Sequence, residues 1–185
     1  MSISTIAARF AGVSLAAALL LGQGVAWAGA NFIKVSGSID AATGDYTASW
    51  KEAGLGNCSP TGECTYTLTA NATFTWQCFN NGSNVPQGSP QTVNDTHDTV
   101  TGSFPPTHNG NISASLTITP DATGLNCKGG ARLLCLASAD YSGVMLTDTT
   151  TNDATASGEL PNLSAASFPV PSKKNPAPST CIPQG

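Results

Sequence analysis

Apolar and polar residues alternate along much of the chain, most regularly between Cys64 and Cys78. In this segment the odd positions are Thr, Asn or Gln, and the even positions are apolar or small: Cys64, Tyr66, Leu68, Ala70, Ala72, Phe74, Trp76 and Cys78. A period of two places the two sets on opposite faces of a β-strand, so we expect the even set to be buried. Because these fifteen residues exceed the usual strand of about 3–10 residues, we predict one bent strand, or two strands that cross between sheets near residues 70–72.

Further strands are predicted on both sides of this segment. Two alternating segments flank a hairpin loop at residues 40–45, with predicted inner faces made by Ile33, Val35, Gly37 and Ile39 and by Tyr46, Ala48 and Trp50. Residues 112–118 alternate after an Asn109-Gly110 turn, and residues 92–104 contain one or two poorer strands. A continuous apolar run at residues 133–137 predicts a central strand with little solvent-facing surface. Residues 141–147 are the next predicted strand, with a turn at Ser142-Gly143.

These patterns favour an all-β fold. No segment of ten or more residues after the first 28 shows good helical periodicity, and Gly, Pro and Asn turns join strands at short spacing. We therefore predict a disulfide-stapled, antiparallel β-sandwich of seven to nine strands, immunoglobulin-like or jelly-roll-like, over residues 29–168. Residues 169–185 contain five prolines, a density that a sheet interior does not accept. They are predicted to form an extended tail held to the domain by Cys181.

The first 28 residues have the features of a secretory signal peptide. Arg9 precedes an apolar run at residues 10–21, which is shorter than the roughly 20 residues of a membrane-spanning helix. Ala26-Trp27-Ala28 supplies small residues for cleavage after Ala28, so the mature chain is expected to begin at Gly29. No later stretch is apolar enough to span a bilayer. The sequence thus predicts an exported, secreted protein without a membrane span.

The composition narrows the class of partner. Charged residues make up only 10% of the chain, and 23 Thr and 19 Ser replace them as the polar class. Seven Lys and Arg face eleven Asp and Glu, a balance that argues against nucleic acid, whose phosphates need a basic surface. Hydroxyl and amide side chains suit glycans, cell walls or neighbouring subunits. The expected partner is therefore a cell-envelope glycan or protein.

All six cysteines lie after the leader. An even number in an exported chain predicts disulfides, whereas a structural zinc site favours closely spaced ligand pairs, and no Cys-x-x-Cys occurs. One pair would close a short turn-rich loop, a second would join the end of the long strand to a later turn, and the third would pin the tail to an apolar strand. Although six cysteines allow other pairings, the predicted pairs are Cys58–Cys64, Cys78–Cys127 and Cys135–Cys181.

A resemblance agrees with this fold. The run Tyr66-x-Leu68-x-Ala70-x-Ala72-Thr73, followed by Trp76-x-Cys78-x-Asn80 and Pro86, resembles a pattern of small exported bacterial proteins of unassigned role. Lys51-x-x-Gly54-Leu55 has the same style, and the similarity spans residues 46–141. It implies an exported β-sandwich. It carries no catalytic motif and therefore implies no activity.

Two groups of residues are candidates for ligand recognition. The aromatic residues could form a sugar-stacking platform, but core packing explains them better because each lies on a predicted apolar face: Tyr46, Trp50, Tyr66, Trp76 and Tyr141. The polar loop after the long strand is the better candidate, since binding groups concentrate on loops. Its predicted binding residues are Phe79, Asn80, Asn81 and Asn84.

Catalytic and metal signatures are weak. His97 lies between Asp95 and Asp98 and could act as an oriented base, but the chain has no Gly-x-Ser-x-Gly nucleophile elbow. Oxygen-bearing loops at residues 40–45 and 148–153 could hold Ca²⁺, although neither follows the EF-hand pattern. We therefore expect a non-enzymatic, exported protein that acts by extracellular binding or surface assembly, without a cofactor or metal. The alternatives are a carbohydrate-binding module and a small secreted hydrolase that uses His97.

Overall fold

Nine β-strands in two antiparallel sheets make up the regular structure of the described residues. The structure is a computed structural model and describes residues 30–56, 58, 62–80, 85–129, 133–150, 157–165 and 168–184. The strands are β1 (Asn31–Ile39), β2 (Tyr46–Ala53), β3 (Cys64–Phe79), β4 (Pro86–Phe104), β5 (Ile112–Ile118), β6 (Leu133–Asp148), β7 (Ser157–Glu159), β8 (Leu163–Ala165) and β9 (Cys181–Pro183). No helix occurs within these ranges. The predicted signal peptide and its cleavage site lie outside them.

The strands form a small sheet and a large sheet. The small sheet has the order β1-β2-β5, and the large sheet has the order β4-β3-β6-β7, with β8 and β9 pairing with other parts of β6. Apolar residues of both sheets join in one buried core, as in a sandwich. All three predicted cysteine pairs are present as disulfides, and no described cysteine is free. The prediction of a disulfide-stapled, antiparallel β-sandwich is therefore confirmed.

Strand β3 is the centre of the large sheet and carries the alternation read from the sequence. Every even position from Cys64 to Cys78 is buried, and the odd positions are half-buried or exposed until Gln77. The segment is one strand, because the irregularities lie in its neighbours. Around Ala70 to Ala72 both β4 and β6 contribute one more residue than β3 does, and Asn71 is exposed between these two bulges. Bulges in the partners bend the sheet while β3 keeps its period of two.

Strand β6 corrects one prediction. The chain does not turn back at Ser142-Gly143, since a single strand of 16 residues runs from Leu133 to Asp148. Gly143 has a left-handed φ of 57° and lies in the bulge opposite β3, where its amide N–H donates to Asn162 Oδ1 at 2.9 Å. A glycine signals a tight turn and a bulge equally well, because both need backbone conformations that other residues avoid.

Strand β1 also departs from the predicted face. Ile33 is 58% exposed, because the pairing with β2 shifts register between Phe32 and Lys34. The shift turns Phe32 inward, and its ring centroid lies 6.3 Å from that of Tyr66. Val35, Gly37 and Ile39 share the half-buried side of β1 as expected. A one-residue slip is sufficient to exchange the two faces of a strand.

The aromatic residues form the middle of the core, as predicted. Tyr46, Trp50, Tyr66, Trp76 and Tyr141 are each at most 4% exposed. Their rings contact one another across the sheets, with centroid distances of 4.8 Å for Trp50–Tyr66 and 5.1 Å for Tyr46–Tyr141. Each tyrosine hydroxyl donates a hydrogen bond, to Pro161 O, Glu52 Oε2 or Gly44 O. Buried tyrosines need such acceptors, so the core combines apolar packing with fixed polar links.

The C-terminal segment adds a short strand beside β6 and contributes to a second apolar cluster. Strand β9 pairs with the first residues of β6, and Thr180 O accepts the amide of Leu136 at 2.9 Å. A second apolar cluster, separate from the main core, contains Phe79, Leu133, Cys135 and Cys181. Residues 133–136 are all buried, as the apolar run predicted, with Leu133 and Cys135 in this cluster and Leu134 and Leu136 in the main core. Pro183 lies in a three-residue edge strand, a position that proline tolerates.

Candidate binding site at the β3–β4 end of the sandwich

The structure corrects the role of one predicted binding residue. Phe79 was expected to be exposed, but it is only 4% exposed and packs with Leu133 and the Cys135–Cys181 disulfide. Strand β3 continues to Phe79, one residue beyond the alternating segment, and Phe79 becomes part of the second apolar cluster. Asn80 is exposed at the end of β3. Asn81 and Asn84 lie outside the described residues.

A cavity of about 450 Å³ opens beside this predicted loop. We call it the amide cavity, and its lining consists of Cys78, Gln87, Gly88, Ser89, Gln91, Asn126, Lys128 and Gly129. Three of these residues carry neutral amides and only one, Lys128, carries a charge. Its volume lies within the range of small-ligand sites, roughly 300–1,000 Å³, whereas its polar lining differs from their usual apolar one.

A bulge in β4 shapes one wall of the amide cavity. Between Trp76 and Cys78 of β3, strand β4 contributes two more residues than its partner, and Gly88 adopts a left-handed φ of 79° there. The buried Gln77 side chain supports the bulge by donating from Nε2 to Gly88 O at 3.1 Å. The bulge thus holds Gln87 and Ser89 at the surface.

The connection between β5 and β6 forms the opposite wall. Three contacts fix it: Trp76 Nε1 donates to Asp121 O at 3.0 Å, Gln91 Nε2 donates to Asn126 O at 3.2 Å, and Cys127 is bonded to Cys78. These contacts tie both walls to β3 and β4, so the cavity is built on the rigid part of the fold.

The free acceptors of the cavity determine what it can bind. Gln87 and Gln91 use Nε2 to donate to backbone carbonyls, and no described residue donates to their Oε1 atoms. The cavity therefore offers amide oxygens to hydrogen-bond donors, together with the Ser89 hydroxyl and the Lys128 ammonium as donors. A ligand with several hydroxyl groups matches this set better than a charged or apolar one.

His97 lies in the bulge that β4 forms opposite Asn71 of β3. Asp95 Oδ1 accepts the backbone N–H of His97 at 3.1 Å. Asp95 and Asp98 pair with Ala72 and Ala70, which lie on the core side of the sheet, whereas His97 is exposed. Burial and, secondarily, the charge of Asp95 raise the pKa of Asp98. The acidic side chains are thus oriented toward the core side of β4.

The structure describes residues 40–45 and the first part of the other candidate calcium loop, residues 148–150. Asp40 Oδ1 accepts the amide of Ala42 at 2.7 Å, which closes a local turn. Asp148 is only 1% exposed, and its Oδ1 accepts the amide of Thr150 at 2.8 Å. Asn152 and Asp153 lie outside the described residues. Among the described residues, no three His, Cys, Asp or Glu side chains converge on a point that could hold a metal ion.

A buried carboxylate was missed by the sequence analysis. Glu52 is fully buried at the end of β2, and its Oε2 accepts the Tyr66 hydroxyl at 2.7 Å. Burial raises the pKa of Glu52 to about 6; the Tyr66 hydrogen bond opposes this change, and the charge of Asp148 adds to it. Glu52 Oε1 and Asp148 Oδ2 are buried without a hydrogen-bond partner among the described residues. The alternation in β2 indicated that Glu52 is buried, because Glu52 continues the series of inward-facing residues Tyr46, Ala48 and Trp50.

The remaining findings concern the cellular compartment of the protein and its similarity to known proteins. Three disulfides are compatible with an extracellular protein. Within the ranges that the structure describes, no helix has the length and apolarity needed to cross a membrane. Comparison of the chain with protein-family models and with curated protein sequences found no match.

Proposed function

We propose that this protein is an exported, non-enzymatic binding protein whose partner is a neutral glycan of a cell envelope. The observation that carries the proposal is the amide cavity, with its three neutral amide side chains and one cationic group. Two glutamine side-chain oxygens in it receive no hydrogen bond from any described residue and can accept from a ligand. Sugar hydroxyls are suitable donors for such acceptors, and several of them can bind at once.

The surroundings of the cavity support this role. Its walls are held by the Cys78–Cys127 disulfide and by side-chain hydrogen bonds to backbone carbonyls. A site held in place before binding loses less entropy when the ligand arrives, which favours recognition of weakly binding polar molecules. The exposed Asn80 follows Cys78, a lining residue, by two positions, so Asn80 can extend the contact surface.

Export is part of the proposal. The leader at residues 1–28 and the three disulfides support it. Intact-mass analysis of a culture supernatant is expected to find a chain that begins at Gly29 with all six cysteines oxidised. Recovery of the full-length chain only from the cytosol would contradict export.

The binding test uses residues 29–185 on a glycan array and in a pull-down from cell-envelope material. We expect binding to neutral glycans that falls at least tenfold in Gln87→Ala and Gln91→Ala. The matched control is Asn109→Ala, an exposed amide beyond the opposite end of β4. Thermal unfolding identifies any variant that fails to fold. Absence of glycan binding, or binding that both glutamine variants retain, would refute the proposal.

A further inference from the structure

The outer face of the small sheet carries hydroxyl groups and a pair of lysines. Neighbouring strands lie about 4.8 Å apart, and successive residues on one face of a strand lie about 6.7 Å apart. Strand pairing therefore places the outward side chains in a regular grid, which we call the lysine–hydroxyl face. Its three rows are Ser38, Thr47 and Thr117; Ser36, Ser49 and Ser115; and Lys34, Lys51 and Ser113.

Lys34 and Lys51 lie directly opposite each other in the antiparallel pair of β1 and β2. Side chains at opposite positions on one face have Cβ atoms about 4.5–5.5 Å apart. Both lysines are exposed, and neither forms an ion pair or a side-chain hydrogen bond with another described residue. Like charges directly opposite each other destabilise a sheet, so an anion bound between the two ammonium groups would remove a repulsion that the fold contains.

The strands of this face supply no carboxylate to neutralise the lysine pair. Strands β1, β2 and β5 contain one acidic residue, Glu52, and its side chain is buried in the core. Asp40, at the hairpin end of the face, follows Lys34 by six residues, which corresponds to roughly 20 Å of extended strand. That distance is about two Debye lengths at physiological salt, so Asp40 is largely screened from the lysine pair.

Protection of the sheet edge accounts for only one of the two lysines. Strand β1 is an edge strand, where lysine commonly prevents pairing with another chain. Lys51 lies in β2, the central strand, which has β1 on one side and β5 on the other. A second lysine at the position opposite the first does not protect the edge, so recognition of an anion explains it better.

The hydroxyl rows indicate which anionic partner fits. Hydroxyl groups both donate and accept hydrogen bonds, as the hydroxyls of a sugar do. Ser49 and Ser115, in the row beside the lysines, make no side-chain hydrogen bond with a described residue. Because the neighbouring side chains are small, the face is open and suits an extended chain of sugars.

An anionic membrane surface matches the face less well. Binding to a membrane surface increases with the apolar area that enters the lipid. Beside the lysine pair only one large apolar residue of β1 is exposed, Ile33, at 58%. The rest of the face carries small hydroxyl side chains, which favour a hydrated, acidic glycan over lipid.

We propose that the lysine–hydroxyl face binds a glycan chain that contains uronic acids. One carboxylate lies between the ammonium groups of Lys34 and Lys51, and sugar hydroxyls hydrogen-bond to Ser49 and Ser115 in the next row. Because the contact is open to solvent, binding weakens with added salt. The face belongs to the small sheet, whereas the amide cavity is formed by β3, β4 and the β5–β6 connection. The inference therefore does not depend on the binding of a neutral glycan there.

The test is a titration of ¹⁵N-labelled protein, residues 29–185, with hexagalacturonate, followed by NMR chemical shifts. The comparison ligand is fully methyl-esterified hexagalacturonate, which keeps the sugar chain and removes the charges. We expect saturable shifts of the amides at residues 33–36, 49–51 and 113–115 with the acidic ligand only. Binding to phosphatidylglycerol vesicles through these residues, without shifts from hexagalacturonate, would assign the face to a lipid surface and overturn the proposal.

Two double variants with the same change of charge sharpen the result. Lys34→Gln with Lys51→Gln is expected to weaken binding of hexagalacturonate at least tenfold and to leave the midpoint of thermal unfolding unchanged or higher, because a repulsion is removed. The matched control is Lys173→Gln with Lys174→Gln, which removes an exposed lysine pair from the C-terminal segment and is expected to bind within twofold of the unaltered protein. The two glutamine variants of the amide cavity are also expected to retain this binding.

Three results would overturn the proposal. They are equal shifts with the esterified ligand, no shifts at these residues, and equal weakening by both lysine double variants, which would indicate a general effect of net charge. The comparison of the two ligands on the unaltered protein decides the matter even if a variant does not fold.

Discussion

Strand β2 has a carboxylate at each end, and the two carboxylates lie in different surroundings. Asp45 directly precedes the strand and lines a cavity, with its Oδ1 unpaired. Glu52, near the other end, is fully buried and accepts the hydroxyl of Tyr66. Both groups lack part of their hydrogen bonding among the described residues, but the Asp45 side chain lines a cavity, whereas aromatic rings pack around Glu52. The same chemical group is therefore placed beside a cavity at one end and within the packed core at the other.

The surroundings of the two carboxylates differ because different residues pack over each end of β2. The rings of Trp50, Tyr66 and Phe104 lie within 4.8–6.0 Å of one another beside Glu52 and close the core there. Around Asp45 the surroundings combine Trp76 of β3 with loop and tail residues, several of which carry small hydroxyl side chains, and a gap remains. We call these the sealed end and the open end. The large aromatic rings fill the space around Glu52, whereas the residues around Asp45 leave part of their space unfilled.

The largest expected difference between the ends concerns their disulfides. The Cys78–Cys127 bond near the open end closes a separation of 49 residues, and Cys58–Cys64 near the sealed end closes only 6. In the chain-entropy model the longer loop contributes about 4 kcal/mol and the shorter about 2 kcal/mol. Replacing each pair with alanines and measuring denaturant unfolding is expected to give losses in that order. A larger loss from the short loop would contradict the comparison.

The next effect tests the core that joins the two ends. Leu68 is fully buried in the middle of β3, so Leu68→Ala is expected to lower the free energy of unfolding by about 2–5 kcal/mol. The control is Thr67→Ala on the outer face, whose hydroxyl lies 3.3 Å from that of Thr101 and whose removal is expected to cost less than about 1 kcal/mol. Similar small losses for both variants would refute the assignment of faces.

The sealed end is expected to make stability depend on pH. The pKa of Glu52 is raised to about 6 in the folded protein, whereas its ordinary value is 4.5. Between these two values the folded state binds more protons than the unfolded state does. The free energy of unfolding therefore falls as the pH rises from 4.5 to about 6, and at higher pH Glu52 causes no further change. The difference between the two pKa values corresponds to about 2 kcal/mol.

Glu52→Gln isolates this contribution. The amide oxygen still accepts the Tyr66 hydroxyl but cannot ionise, so the variant is expected to match the unaltered protein near pH 4 and to be more stable at pH 7. Glu63→Gln, at an exposed position just before β3, is the matched control and is expected to leave the pH profile unchanged. Chemical denaturation between pH 4 and pH 8 measures both. A parallel profile for Glu52→Gln would show that another group causes the pH dependence.

The sequence predicted those features that depend on local periodicity. Strand β3, the buried aromatic residues and the hairpin before Tyr46 followed from alternation and turn residues. The errors at Ile33 and Ser142-Gly143 arose at bulges, where one extra residue changes a face and leaves no mark that separates it from a turn. Phe79 was misplaced because its cover comes from Cys181, more than a hundred residues later.

The candidate sites were harder to predict than the fold. Both cavities combine side chains from distant segments, such as Gln91 with Asn126 and Asp45 with Thr180. Periodicity carries no information about which loops meet, and only the predicted loop near Asn80 lies next in sequence to a residue that lines the amide cavity, Cys78. Glu52 is the exception, because its position in the alternation of β2 marked it as buried. A charged residue on a predicted inner face is therefore a signal worth following.

The smallest expected effect is at the open end. Asp45→Asn is expected to change the free energy of unfolding by less than about 0.5 kcal/mol, because the carboxylate makes no side-chain hydrogen bond to the described residues that the amide would lose. Its structural contact, the acceptance of the Asp40 amide, uses the backbone carbonyl and is retained. Denaturant unfolding at pH 7 measures the change beside Glu52→Gln, which is expected to shift stability several times more. If Asp45→Asn destabilised the fold by as much as a core substitution, Asp45 would have a structural role, and the two ends of β2 would not differ as described.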